Sequence, residues 1–167
     1  MTQHRFAIAA SSVFAMVVAL AISNAPMADT STQYVAPSGI VKVKSAYPLS
    51  ETVARLKEDV AGKGIKFFDE IDQSKLAADA GIKLRPSTLL VFGNPPLGTL
   101  FITANPLAGL DWPVRLLVFQ DEKGDVYAAY TDFSYIARRH QIEDADLEAF
   151  RKATGVIASI TSSVSAQ

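Results

Sequence analysis

Val114–Gln120 and Val126–Thr131 are two apolar-rich runs separated by Asp121-Glu122-Lys123-Gly124-Asp125. Strand-forming runs joined by a short polar turn with glycine read as an antiparallel hairpin. This is the strongest constraint on the fold, because a hairpin needs more strands and a covering layer to be stable. Residues 39–46 alternate, with Ile40, Val41 and Val43 against Lys42 and Lys44, and predict a first strand. Residues 65–71 and 88–92, rich in Ile, Phe, Leu and Val, predict two more. Between the first two strands, Ser50 reads as an N-cap with Glu51 in the first turn. Val53, Leu56 and Val60 then form one helical stripe, ended by Gly62 and Gly64. Asp72 reads as the cap of a short helix over 73–80. Residues 97–104 fit a short helix or a bent strand equally well, and 133–140 a short helix. Asp144 reads as the cap of a last helix reaching about Ser163. Its stripe is Leu147, Phe150, Ala153, Ile157 and Ile160, weakened slightly by Gly155. The order predicts one α+β domain over 39–165, an antiparallel β-sheet with helices packed on one face. A flexible lead-in over 29–38 precedes it.

The start of the chain predicts export. Met1–Arg5 is short and basic, residues 6–22 carry no charge, and Ser23, Asn24 and Ala25 make a small, polar exit. This is the pattern of a secretory signal peptide over 1–25, with cleavage between 21 and 28, and it implies a periplasmic or secreted location. The competing reading is an uncleaved anchor, although 17 uncharged residues fall short of the usual span of about 20. Beyond the leader the chain keeps one histidine, His140, and no methionine or cysteine. Disulfides, thiolate zinc sites, iron–sulfur clusters and a cysteine nucleophile are excluded. A site of two or three histidines cannot be built within one subunit. We therefore expect no cofactor and no metal site. Lys+Arg and Asp+Glu are nearly balanced, 16 against 17, which leaves no electrostatic footprint for nucleic acid. Membrane contact is expected only through an uncleaved leader.

The polar residues offer few sites. Gly93-Asn94-Pro95-Pro96-Leu97-Gly98-Thr99 has the two-glycine outline of a phosphate loop. Thr99 stands where its lysine belongs, and Pro95 and Pro96 remove two N–H donors. A rigid turn is the plainer reading. Glu70 and Asp72 share a strand face, which suits a carboxylate pair, but an N-cap at Asp72 explains the second without further role. Asp121, Glu122 and Asp125 lack the spacing of a cation loop. Arg138, Arg139 and His140 read as a basic helix end meeting the dipole, with a general-base role for His140 as the alternative. Asp111-Trp112-Pro113 carries the single tryptophan, a core residue or the wall of a site. Arg115 has the geometry to clamp a carboxylate or phosphate.

Laid out in order, these blocks resemble a bacterial family catalogued as domain of unknown function 302. The resemblance runs from about Ser45 to His140. It rests on Ser50-Glu51-Thr52-Val53-x-Arg55-Leu56, Gly64-Ile65-Lys66-Phe67-Phe68, Ile71-Asp72 and Ala80-Gly81-Ile82. It continues through Leu84-Arg85-Pro86-Ser87-Thr88, Leu90-Val91-Phe92-Gly93-Asn94-Pro95, Ala104-Asn105-Pro106 and Gly109-Leu110-Asp111-x-Pro113. It implies a β-α-β-β-β-β-α fold, TATA-box-binding-protein-like, often paired as a homodimer, and no established activity. Many members carry His directly after the Asp of the second block, where this chain has Gln73. The first expectation is a non-enzymatic binding or assembly module acting as a homodimer, with a small molecule or protein as further partner. The second is a small-ligand binder or enzyme. Its candidate residues are Asp72, Gly93, Asn94, Pro95, Asp111, Trp112, Arg115 and His140. A third is a haem or metal binder with His140 as one ligand.

Overall fold

The hairpin read from the sequence forms the middle of a five-stranded sheet in a computed structural model, which describes residues 38–142 and 147–166. Five strands are β1 Ile40–Lys44, β2 Lys66–Asp72, β3 Ser87–Gly93, β4 Val114–Gln120 and β5 Val126–Thr131. They lie in the order β1-β5-β4-β3-β2, and every neighbouring pair is antiparallel. The helices are α1 Leu49–Gly62, α2 Gln73–Asp79, α3 Pro95–Ala104, α4 Phe133–Arg139 and α5 Leu147–Ser162, with a 3-10 segment Pro106–Asp111 after α3. This is the expected strand–helix order with short helices inserted between strands.

Alternation decides which side is covered. Leu90 and Phe92 of β3, Leu116 and Val118 of β4 and Ala128 of β5 point to one face and are buried there. Leu56 and Val60 of α1 and Ile157 and Ile160 of α5 join the same core. Burying a leucine or isoleucine side chain contributes about 1.5–3 kcal/mol, so these four residues hold the two long helices to the sheet. The turn at 121–125 is tied by the Asp121 carboxylate, whose Oδ1 accepts from the backbone N–H groups of Lys123 and Asp125.

Two details depart from the sequence reading. Ser50 is not the N-cap of α1: the helix begins at Leu49 after Pro48, and no side chain caps it. The buried Thr52 hydroxyl bonds the carbonyls of Tyr47 and Pro48 and the Ser45 hydroxyl instead. Residues 97–104 are helical, and the helix starts at Pro95. Proline at the first position has no N–H to waste, and the Asn94 Oδ1 accepts from Leu97 N. The expected cap Asp144 lies outside the described residues.

Both sheet edges are blunted. Along β1, Ser165 forms a bridge to Ser45 and Ala166 N bonds Lys44 O. Edge strand β2 carries Lys66, Asp69, Glu70 and Asp72 and a bulge between Phe67 and Asp69. Charges and bulges on an edge prevent further strands from adding.

Tyr130 of β5 faces the core. Burial pushes its phenol up to about 12, against the opposing pull of the Thr161 hydrogen bond. An unfolded tyrosine ionises near 10. The neutral phenol therefore stabilises the fold fully below about pH 10, and that contribution is lost as pH rises through about 12. We expect Tyr130→Phe to flatten the fall of thermal stability between about pH 10 and 12. Circular dichroism melts across that range, beside an ultraviolet tyrosine titration, check it.

Candidate functional site

The chain leaves the core sheet at Gly93 and returns at Val114 through α3 and the 3-10 segment. Asp111 stands at the return, with its side chain only 7% exposed. Its Oδ2 lies 2.6 Å from His140 Nε2, and its Oδ1 lies 3.2 Å from Arg139 Nη1. Arg115 approaches the same oxygen at 3.6 Å and donates to Leu110 O at 2.9 Å. A carboxylate only accepts, so the shared proton sits on the imidazole. His140 is itself buried, and its backbone carbonyl accepts from Asn105 Nδ2 at 2.7 Å. One residue at the end of α4 thus grips both ends of the 3-10 segment.

This placement corrects the reading of His140 as an exposed helix cap. The sequence offered no local signal for it, because Asp111 lies 29 residues away. A dyad of this kind could orient an imidazole for base catalysis. Here the crevice beside Asp111 measures about 20 Å³ and is lined by Val114, Arg115, Thr131, Phe133 and Ile136. That is room for one water and no substrate. Among the described residues no three His, Asp or Glu side chains converge to hold a metal ion. The geometry suits a clamp that holds the excursion to the core.

The neighbouring residue, Trp112, is a second fastener. Its indole lies over Gly93 and Gly98, and a Cβ at Gly98 would collide with Trp112 Nε1. The bulge in β2 sets Phe68 edge-on to the same indole, with ring centroids 5.8 Å apart. A small apolar crevice of about 40 Å³ remains between Trp112, Leu97, Phe92 and α5.

Of the residues singled out from sequence, Asp111, Arg115 and His140 therefore come together. Gly93 and Trp112 meet in the adjoining crevice. Asn94 and Pro95 start α3, and of the first N–H groups there the Leu97 one is taken by Asn94, so no phosphate cradle forms. Asp72 is apart from all of these. It caps α2, where Lys75 N and the Ser74 hydroxyl donate to it and hold its carboxyl below the usual range. Arg139, Asn105 and Gly98 complete the arrangement and were not among the candidate site residues read from the sequence.

A sheet covered on one face, with a helical excursion fastened by a buried carboxylate–imidazole pair, defines a small α+β domain. The chain matches the family described as "Domain of unknown function DUF302" over residues 41–160 and belongs to it. The crystal structure of an uncharacterized conserved protein DUF302 from Bacillus stearothermophilus has the same fold. Its TM-score is 0.69 at 18% identity, covering 75% of this chain and 98% of that one. Two relatives, each named Fluoride-specific ion channel FluC 1, come from Brucella suis biovar 1 and Brucella abortus biovar 1. Both are 32% identical over 123 residues, 72% of this chain. The match covers 48% and 46% of those proteins, so the chain spans about half the length of the curated relatives it matches.

Removing His140 leaves the Asp111 carboxylate buried beside half-exposed arginines. We expect His140→Ala to cost about 3 kcal/mol in urea unfolding. Adding Asp111→Ala should cost less than the sum of the two single changes, because the pair acts as one unit. Gly98→Ala should displace the indole, costing about 1–3 kcal/mol and shifting Trp112 emission to the red.

Proposed function

We propose that this chain is a non-enzymatic assembly module that pairs with a second copy of itself through the open face of its sheet. One observation carries the reading. On the face opposite the core, Leu89, Val91, Leu117, Phe119 and Tyr127 alternate with the buried residues and stay half-exposed. Five strands about 4.8 Å apart and about 20 Å long make a face of roughly 500 Å². Leu84, exposed on the loop after α2, lines one groove with Leu117 and Phe119 and extends the apolar area. That approaches the roughly 600–800 Å² per partner that specific interfaces bury.

Lys42 of β1 lies over the rings of Phe119 and Tyr127 on this face. A face that meets its own copy about a two-fold axis is what an isologous dimer requires. The blunted edges favour pairing by faces over pairing by strand addition. The leader pattern read at 1–25 supports work in the periplasm or outside the cell. No helix among the described residues is long and apolar enough to cross a membrane. In the Brucella relatives a region like this one forms about half of a protein named as an ion channel.

Light scattering on a sizing column tests the pairing. The expected mass is twice that of one chain, and Leu117→Glu or Phe119→Glu should halve it without unfolding the protein. A mass of one chain for the unaltered protein, at concentrations well above micromolar, removes the reading.

A further inference from the structure

Helix α5 carries a glycine that the packing of the chain does not require. Gly155 sits in the middle of a sixteen-residue helix, where glycine is the least favourable residue after proline. A Cβ built there meets nothing within 4 Å. The bare backbone instead forms part of the wall of a groove between α3, α5 and the end of α1. Its volume is about 660 Å³, within the roughly 300–1,000 Å³ of small-molecule sites. Lys152, Gly155, Val156 and Ser159 follow the spacing of one helix face and all line it.

The lining separates two chemistries. Leu97, Leu100 and Val156 give it an apolar side, with Leu100 left 55% exposed. Lys63 and Lys152 give it two cations, and no acidic residue lines it. Lys63 is shared with Asp59 at 2.9 Å, whereas Lys152 has no ion-pair partner among the described residues. The groove continues into the apolar crevice beside Trp112, since Ile65, Asn94, Leu97 and Val156 line both. A compact phosphate would find no backbone donors at the start of α3 and would waste the apolar side.

We propose that this groove binds an anionic amphiphile, a single aliphatic chain ending in a carboxylate. The chain lies along Leu97, Leu100 and Val156 towards Trp112, and the carboxylate sits between Lys63 and Lys152. Gly155 leaves the space the chain occupies. This site is on the helical side of the molecule and does not rest on pairing through the sheet.

The test titrates the full chain with decanoate, kept below its micellar range, and follows the emission of Trp112, the single tryptophan. Saturable binding is expected, tightening roughly fifteenfold from octanoate to decanoate, since each of the two added buried methylenes strengthens binding about fourfold. Gly155→Leu fills the groove without meeting the core. It should weaken decanoate tenfold or more while the melting temperature holds or rises. Lys152→Gln should weaken decanoate by about tenfold and leave 1-decanol unchanged. Absence of a saturable change overturns the proposal, as does a Gly155→Leu protein that binds like the parent. Equal loss of decanoate and decanol in Lys152→Gln overturns the carboxylate contact.

Discussion

The rest of the structure depends on burying the central strand β4 from one side. Leu116 and Val118 are fully enclosed, and their enclosure calls α1 and α5 onto the same face. A strand has two faces, so Leu117 and Phe119 are carried to the other by the same alternation. The helices are spent on one layer, and the second apolar face is left to be met by something else. Coverage by a like face, as proposed above, needs no new sequence and satisfies both copies at once.

From Pro86 through β3 and on to Leu110 the chain carries no charged residue. Such a stretch has little of its own to hold it on the surface. Two fasteners at its return do so. The buried Asp111–His140 pair ties the 3-10 segment to α4, and Trp112 lies against Gly93 and Gly98, where a Cβ at Gly98 would collide with the indole. Taking a carboxylate out of water is costly unless its oxygens are paired. Here both carboxylate oxygens have partners, and the guanidinium groups of Arg115 and Arg139 stay half in water. The same fastening buries the His140 imidazole against Asp111.

Much of the fold was legible because it depends on local rules. The hairpin follows from its polar turn, α1 from the Val53, Leu56, Val60 stripe, and the α2 cap from Asp72. Where local rules compete, the outcome was less clear. Pro95 and Pro96 read as strand breakers, yet Asn followed by Pro is also a helix start, and that second signal was the operative one in α3. At α1, Ser50 met the statistics of a cap, but Pro48 had already set the backbone for the helix to begin a residue earlier. Gly155 was visible as a weak point in the last helix, and the groove it borders was not, because its other walls come from α3 and the end of α1.

Local patterns along the chain were enough to set the class of this protein: an α+β domain with antiparallel pairing and no cysteine. Periodicity, turn chemistry and composition act over a few residues, so they can be read without knowing the path of the chain. Only the tertiary structure decided which polar groups meet. Asp111 and His140 are brought together by the reversal at Asn105, the return through β4 and β5 and the end of α4. Asp72 and Asn94, equally plausible as site residues, were claimed by the helix starts beside them. A buried charge must find its partner wherever the fold delivers one, whereas a cap is satisfied within its own turn. That difference in range separates what can be read along the chain from what has to be seen across it.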